Sequence, residues 1–276
     1  MVVVNFTNGF GNNLFQYIAA RQLAEHHGQK VVALCPTFYY AKSDLEVLGI
    51  SVVTTMPPID DIIHVNDTNY SHYFTTNALK NNFIVSGYFE DYRYYKNNLD
   101  MIKSWFPAVD KRSSTDLVIH YRAGDRLIYR NTFKYKPSAE QYLKAISYFD
   151  FENLHIVTDM PSWEYITPEK IREMTFHVAI PENNRIEPER SAEYFNSFVD
   201  AFSQYRPIVE KRSIVDDFNF IRSFDNILFE HGTLGWWAAA LSNASKVGVY
   251  GPWRQSKGKA NKNLSQVNLE GWFKWN

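Results

Sequence analysis

Charged residues follow directly on an apolar, β-rich stretch at positions 117–125, where the chain reads Leu-Val-Ile-His-Tyr-Arg-Ala-Gly-Asp. The pattern predicts a buried strand that delivers His120, Arg122 and Asp125 to a loop. In open α/β sheets, ligands bind beyond the carboxyl ends of the strands, and the planar fork of an arginine holds a phosphate through two hydrogen bonds. The stretch therefore predicts a nucleotide-binding loop. The alternative is an arginine–aspartate pair that only fixes the loop.

A glycine-containing segment near the start of the chain, Gly9–Asn13, also has the composition of a ligand-binding loop. It lies between a β-branched run, Val2–Phe6, and a stretch with helical spacing of apolar residues, Leu14–His27. Glycines let backbone amides approach a ligand closely, and the N-terminus of the following helix favours an anion. Candidate ligand-binding residues in this segment are Gly9, Gly11, Asn12 and Asn13. A simple tight turn fits the same spacing.

The same segment is a poor dinucleotide fingerprint, because Leu14 stands where the third glycine belongs. The second predicted strand, Lys30–Leu34, is followed by Cys35 and Pro36 and lacks the acidic residue that would hold an adenosine ribose. These departures argue against a dehydrogenase.

Two further strand ends carry polar residues. Asp159 follows the apolar run Leu154–Thr158. It either accepts two hydrogen bonds from a guanine base, orients a catalytic arginine, or caps a helix that starts near Pro161. Gly232 and Thr233 lie where a strand turns into a helix, so their amides and the threonine hydroxyl are suited to a diphosphate.

Residues on either side of this second turn have less specific patterns. Glu230 and His231 resemble an acid–base pair, but neighbouring residues in a strand point to opposite faces. Trp236 and Trp237, on the following helix, form either part of the core or a stacking platform for a sugar.

The elements that position these residues alternate along the chain. Strand, glycine segment, helix and strand follow one another within residues 2–34, which is a βαβ unit and implies a parallel sheet. Further buried strands are predicted at Leu117–Tyr121, Leu154–Thr158, Phe176–Ile180, Asn226–Phe229 and Lys246–Tyr250. Helical character is predicted near residues 138–149, 162–173, 191–204, 213–223 and 233–243. We therefore expect an α/β protein with two halves facing across a cleft, residues 1–110 and 111–276, joined by a linker near Ala108–Thr115.

Composition narrows the classes of function. The chain has 276 residues, 45% of them hydrophobic and 21% charged, with a net charge of -1. This balance argues against a general binder of nucleic acid or of anionic membranes, because both rely on a basic field. Cys35 is the single cysteine, so no internal disulfide is possible. Without a secretory signal pattern or an apolar run of transmembrane length, we expect a cytoplasmic protein with no transmembrane segment.

Short motifs occur along the chain in a fixed order. They are Gly9-Phe-Gly-Asn-Asn-Leu-Phe-Gln-Tyr17, Gly87-Tyr-Phe89, His120-Tyr-Arg-Ala-Gly-Asp125, Val157-Thr-Asp159 and Thr233-Leu-Gly-Trp-Trp237. In the same order, they resemble the Gly-x-Gly-Asn-Gln-x-Phe-Gln-Tyr, Gly-Tyr-Phe-Gln-Ser, His-x-Arg-Arg-Gly-Asp, Phe-Ser-Asp and Ser-Thr-Phe-x-Trp-Trp motifs of one family. That family is the α-1,2-fucosyltransferases, glycosyltransferase family 11, and the resemblance spans nearly the whole chain.

The resemblance implies a GT-B-like fold of two Rossmann-type halves, with the acceptor bound by residues 1–110 and the nucleotide sugar by residues 111–276. It implies an inverting transfer of fucose from GDP-fucose to a glycan hydroxyl, as in a galactoside α-1,2-fucosyltransferase, without a metal or other cofactor. Arg122 and Asp125 are the expected catalytic residues, with Arg122 stabilising the charge that develops on the departing β-phosphate. The expected donor-binding residues are Gly9, Gly11, Asn12, Asn13, His120, Arg122, Asp159, Gly232 and Thr233.

The chain departs from the family pattern at several positions. Ala123 replaces the second arginine of the His-x-Arg-Arg motif, so that contact is absent or is supplied by Arg126 or Arg254. The triplet at 230–232 replaces the usual residues before the Ser-Thr motif. These changes leave two alternatives open. The donor is another GDP-deoxyhexose, or the chain is a catalytically weak module that binds a nucleotide or sugar.

An inverting transfer also needs a group that takes the acceptor's proton. Carboxylates and histidine are the usual choices, and the candidates here are Asp125, Glu90, Asp91 and His231. For the acceptor glycan, aromatic faces are available at Phe38–Tyr40 and Tyr88–Tyr95. Rings of this kind do not identify the sugar or the linkage.

Overall fold

The computed structural model describes residues 1–7, 9–35, 42–112, 114–133, 136–174, 181–230, 232–251 and 268–276. The chain divides into two compact units. Unit 1 comprises Met1–Val109 together with Ile214–Phe218, and unit 2 comprises Asp110–Ser213 together with Asn219–Asn276.

Unit 1 is built on a parallel sheet. Its strands are β1 (Val2–Asn5), β2 (Val31–Leu34), β3 (Val52–Val53), β4 (Ile62–Val65) and β5 (Asn82–Val85), and its helices include α1 (Phe10–His27), α2 (Lys42–Val47) and α3 (Leu99–Lys103). The strand order is β3-β2-β1-β5-β4, and every pairing is parallel. β1 therefore lies at the centre, where its valines are buried.

Helix α1 begins at Phe10, four residues before the helical stretch expected from the sequence. Gly9 is the N-cap residue, and its carbonyl oxygen accepts hydrogen bonds from the amides of Asn12 and Asn13. The buried Asn13 side chain donates back to the Thr7 carbonyl oxygen at 2.8 Å. Asparagine is a poor residue inside a helix, but here its amide satisfies the backbone of the preceding loop. The segment Gly9–Asn13 is thus largely the first turn of a helix.

Unit 2 is built on a second, larger parallel sheet. Its strands are β6 (Asp116–Tyr121), β7 (Asn153–Thr158), β8 (Ile208–Val209), β9 (Asn226–Phe229), β10 (Lys246–Tyr250) and β11 (Phe273–Trp275). The order is β11-β10-β9-β6-β7-β8, again with parallel pairings throughout. Read from β6, this is the Rossmann order, and the direction of strand addition reverses between β6 and β9. Ligands bind at such a switch point in doubly wound sheets.

The remaining helices connect these strands. They are α4 (Gly124–Ile128), α5 (Arg130–Phe133), α6 (Ala139–Ile146), α7 (Pro168–Glu173), α8 (Pro188–Ser203), α9 (Ile214–Arg222) and α10 (Thr233–Ala240). Among the described helices, none combines the length and the apolar composition that a bilayer crossing requires.

Aromatic side chains account for much of the core of unit 2. Tyr121 at the end of β6 contacts Tyr142 of α6 and Phe198 of α8, with ring centroids 6.0 and 4.7 Å apart. Trp236 and Trp237 are also fully buried. The core alternative is therefore correct for these two tryptophans, and they are not an exposed sugar platform.

The expected α/β class with parallel strands is confirmed. The bounds of β9 and β10 agree with the prediction, whereas α7 begins at Pro168, well after the start expected near 162. The strand predicted at Phe176–Ile180 lies outside the described residues.

Candidate functional site

The switch point of unit 2 lies between the ends of β6 and β9, so it brings together residues that are far apart in sequence. His120 lies in β6 and Arg122 follows that strand, while Gly232 follows β9 and Thr233 is the first residue of α10. A β-carbon placed on Gly235 would lie 2.5 Å from His120 Nδ1. The His120 ring therefore packs directly against the first turn of α10, where a β-carbon would force the ring or the helix to shift.

Arg122 is held from two sides by carboxylates. Its Nη2 donates to Asp125 Oδ1 at 3.0 Å, and its Nε lies 3.5 Å from Asp159 Oδ2. About a third of the side chain, 34%, remains exposed. Burial alone lowers the pKa of the guanidinium, but the two carboxylates outweigh it and raise that pKa. Arg122 is thus a charged, oriented group with one side open to a ligand.

Asp159 also positions the loop that carries Arg122. Its Oδ1 accepts hydrogen bonds from the amides of Ala123 and Gly124, at 2.7 and 2.8 Å. The sequence offered a cap for a helix near Pro161, but Asp159 instead binds the amides at the start of α4. The reason is that β6 and β7 are neighbouring parallel strands, so their carboxyl ends meet at one edge.

A buried ion pair lies beneath this loop. Lys136 Nζ contacts Glu230 Oε1 at 2.7 Å, and both side chains are 2% exposed. The same Nζ donates to the Arg122 carbonyl oxygen and lies 4.8 Å from the centroid of the Tyr121 ring. Burial lowers the pKa of the Lys136 ammonium and raises the pKa of the Glu230 carboxyl, and in each case the partner's charge opposes the shift. The pair ties the loop after β6 to the end of β9.

Sequence reasoning missed this pair. Lys136 follows no predicted strand, and 94 positions separate it from Glu230. Burial of a charged residue was the only feature that could have identified it, and burial is not visible in a single sequence.

His120 is neutral in the folded protein. Burial, followed by the charges of Arg122, Lys136 and Arg126, lowers the pKa of its imidazole to about 3. Among the described residues, no group forms a hydrogen bond with its Nδ1. His120 can therefore contribute a neutral ring or a single N–H to a ligand, but not a positive charge at physiological pH.

Unit 1 has a switch point of its own, between β1 and β5. Gln16 Nε2 donates to Thr7 Oγ1 at 2.8 Å and to the Gly87 carbonyl oxygen at 2.9 Å. These bonds join the loops that follow the two strands. The Asn13 side-chain amide is used in holding the Thr7 carbonyl oxygen, and the Asn12 side chain is partly exposed. The ligand contacts expected of Gly9, Gly11, Asn12 and Asn13 stay predictions.

The loop after β5 is strained and strongly braced. Phe89 is fully buried and has a φ of 53°, which is rare for a residue other than glycine. The Asp67 carboxylate accepts from the amides of Tyr88 and Phe89, at 2.9 and 2.7 Å, and Tyr95 Oη donates to the Phe89 carbonyl oxygen at 2.6 Å. Strain of this kind persists only where the surroundings enforce it, and it is concentrated at functional sites. Tyr88 and Glu90, which flank Phe89, are thereby placed at the carboxyl edge of the sheet.

The candidates for the general base differ in their surroundings. Asp91 is buried and binds the Arg93 guanidinium, with Nε at 2.9 and 3.0 Å from its two oxygens. Asp125 is 30% exposed but pairs with Arg122. Glu90 is partly exposed. His231 lies outside the described residues, as do Phe38–Tyr40 and Arg254.

Within the described part of the chain, no group of three or more His, Cys, Asp or Glu residues could hold a metal ion. This finding concerns resident side chains only.

No protein-family model and no curated protein matches the chain. Among solved structures, it is similar to the Bradyrhizobium NodZ α-1,6-fucosyltransferase soaked with GDP-fucose, with 13% identity, a TM-score of 0.40 and coverage of 87% of this chain and 92% of that chain. It is also similar to the iron-containing dodecameric glycosyltransferase TibC of enterotoxigenic E. coli. Here the identity is 11%, the TM-score is 0.45, and the match covers 98% of this chain and 61% of that chain.

A third similar structure is a variant of Arabidopsis thaliana FUT1 in complex with GDP, with 9% identity, a TM-score of 0.44 and coverage of 91% of this chain and 70% of that chain. Similarities this weak carry no functional argument. The function therefore has to be argued from the residues of this chain.

Proposed function

We propose that this chain is a glycosyltransferase that moves fucose from GDP-fucose to a hydroxyl of a glycan, with inversion and without a metal. The observation that carries the proposal is the position of Arg122, which is charged, oriented and partly exposed at the switch point between β6 and β9. The carboxyl edge of a Rossmann-order sheet is where nucleotides bind. An arginine placed there is suited to the diphosphate of a nucleotide sugar.

The start of α10 supplies a second feature suited to a diphosphate. Gly232 is its N-cap residue, with a φ of 155°, and no side-chain hydrogen bond caps this end of the helix. The first amides of a helix need acceptors, and phosphate oxygens are good ones. In the proposed complex, Gly232 and Thr233 bind the diphosphate from one side and Arg122 from the other.

Arg122 acts chiefly in the transition state. When GDP leaves, negative charge builds up on its β-phosphate, and a guanidinium that is already oriented stabilises that charge without further rearrangement. Asp125 and Asp159 hold the guanidinium in place. Asp159 has a second proposed role, because the exposed part of its carboxylate is suited to the N1–H and amino group of guanine.

The resemblance of the sequence motifs supports fucose as the transferred sugar and a galactoside α-1,2 linkage. Ala123 and the Glu230–Lys136 pair mark departures at the donor side, so another GDP-deoxyhexose is the alternative donor. A module that binds without turnover is the alternative to an enzyme. The proposed acceptor side is residues 1–110, with Asp125 or Glu90 taking the acceptor's proton.

A titration tests the donor class. The purified chain is titrated calorimetrically with GDP, GDP-fucose, UDP and NAD in buffer that contains a chelator. We expect micromolar binding of the two guanine ligands and much weaker binding of UDP and NAD. Absence of a guanine preference would overturn the donor assignment. Formation of the fucosylated acceptor together with GDP, from GDP-fucose and galactoside acceptors, then separates an enzyme from a binding module.

A further inference from the structure

Arg126 forms no ion pair with any of the residues that the structure describes. It lies on α4, four residues after Arg122, which precedes the helix. Its Nε is buried, and among the described residues nothing accepts a hydrogen bond from it. The ion pairs of the site involve Arg122 and Lys136 but not Arg126. A buried donor without a partner is costly, and such groups in native proteins call for an explanation.

The carboxylates of this region are already engaged by other groups. Asp125 pairs with Arg122, and Asp159 accepts from the amides of Ala123 and Gly124. Glu230 is bound to Lys136. The charges of these three carboxylates act on Arg126, but among the described residues none of them forms an ion pair with it.

Arg122 and Arg126 also repel each other. Burial, and then the charge of Arg122, lowers the pKa of the Arg126 guanidinium, with the nearby carboxylates opposing the shift. Two guanidinium charges that act on each other in this way are unfavourable unless an anion lies between them. An anion with two charged groups relieves both the repulsion and the missing hydrogen bonds.

We propose that Arg126 and Arg122 together bind a diphosphate, each arginine holding one phosphate group. This inference deepens the proposed function and rests on it for the nucleotide, but the chemistry it requires is only that of two linked phosphates. Position 123 cannot supply the second cation, because it is a fully buried alanine. Arg126 supplies it from the next turn of the chain. The pair therefore makes the site selective for nucleoside diphosphates over monophosphates.

The test compares Arg126→Gln with the wild type and with a matched control, Arg130→Gln. Arg130 lies one turn further along, is exposed, and pairs with Glu187 at 3.3 Å. Each purified chain is titrated with GDP, GMP and inorganic diphosphate in chelator-containing buffer. We expect Arg126→Gln to weaken GDP and diphosphate binding by about tenfold or more. Its effect on GMP should be much smaller, and Arg130→Gln should bind all three ligands as the wild type does.

Arg126→Lys provides a second comparison. It keeps the positive charge and loses the planar fork, so we expect it to restore only part of the affinity for GDP. Without ligand, Arg126→Gln should unfold at the same temperature as the wild type or above it, because an uncompensated charge has been removed. An unfolding midpoint several degrees lower would assign Arg126 a structural role and overturn the inference.

The outcomes separate this inference from the proposed function. If Arg126→Gln lowers the affinity for GDP and for GMP equally, or leaves both affinities unchanged, the proposed role of Arg126 is overturned. A preference of the wild type for guanine ligands would still support GDP-fucose as the donor. Loss of inorganic diphosphate binding in Arg126→Gln, in a chain without a guanine preference, would support Arg126 and overturn the GDP donor. Absence of diphosphate binding in the wild type would overturn both.

Discussion

Lys136 and Arg122 are joined through the main chain, because Lys136 Nζ donates to the Arg122 carbonyl oxygen while it also binds Glu230. The buried ammonium thus fixes the backbone of the residue whose side chain faces the proposed ligand. The carboxylates of Asp125 and Asp159 orient the Arg122 guanidinium, and Lys136 holds the Arg122 backbone. Arg122 is therefore constrained at both ends, which is the preorganisation that charge stabilisation requires.

Replacing Arg122 by alanine should lower kcat by at least about a hundredfold, because a charge aimed at the leaving phosphate is lost. The fold should persist, since the side chain is partly exposed and outside the core. Steady-state kinetics with GDP-fucose measures the effect, with circular dichroism as the check on folding. Near-normal turnover would contradict the assigned role, and Arg130→Ala serves as the control.

Replacing Lys136 by methionine should destabilise unit 2 by about 3–5 kcal/mol, because Glu230 is left buried and unpaired. Chemical denaturation measures the loss of unfolding free energy. Adding Glu230→Leu to the same chain should recover most of it, since an apolar pair of similar volume needs no compensation. A double variant as unstable as the single one would show that the loss comes from packing and not from charge.

His120 should make the protein less stable in mild acid. The unfolded chain takes up a proton at this residue near pH 6.5, whereas the folded protein does so only near pH 3. The contribution of neutral His120 to the free energy of unfolding is therefore fully present above pH 6.5. It is lost as the pH falls toward 3, by about 1.4 kcal/mol per pH unit. Unfolding free energies at pH 7, 6 and 5 should fall more steeply for the wild type than for His120→Gln. Parallel curves would mean that His120 titrates normally when folded.

Alanine at position 235 should clash with His120, because its β-carbon would lie 2.5 Å from Nδ1. We expect a loss of about 1–3 kcal/mol in unfolding free energy and weaker binding of GDP, since the start of α10 is displaced. Combining Gly235→Ala with His120→Ala should restore most of the stability by removing the ring. A double variant whose losses simply add would show that the two residues are not coupled.

Chelation should leave turnover unchanged if protein groups alone carry the diphosphate charge. Activity is measured with GDP-fucose before and after dialysis against EDTA, and again after addition of manganese or magnesium. Strict dependence on an added divalent cation would contradict the metal-independent mechanism.

Sequence patterns predicted the central strands well because those strands are buried on both faces. β9 and β10 are continuous apolar runs, and the site residues follow such strands directly. The edge strands β3, β4, β8 and β11 were not predicted, because strands at sheet edges carry a weaker apolar pattern. The interior strand β5 was not predicted either, and only alternate residues of it are fully buried. The ion pair between Arg122 and Asp125, three residues apart, could also be predicted from the sequence.

Contacts between distant residues were not predictable. The Asp159 carboxylate binds amides 35 and 36 positions away, and only the adjacency of β6 and β7 brings them together. Arg126 could be named as a candidate from its neighbourhood in sequence. That it forms no ion pair among the described residues became visible only when the partners of Asp125, Asp159 and Glu230 were known.

The Lys136–Glu230 pair also has a consequence for how unit 2 acquires its site. The two charges stay hydrated until β6 and β9 pair, since 94 positions of chain separate them. Contacts of such long range form late, after the loop-closure entropy has been overcome. We therefore expect Arg122 to reach its final position only when the sheet is complete. A partly folded chain should then fail to bind the proposed nucleotide, so nucleotide binding measured during refolding should appear with the last step of assembly.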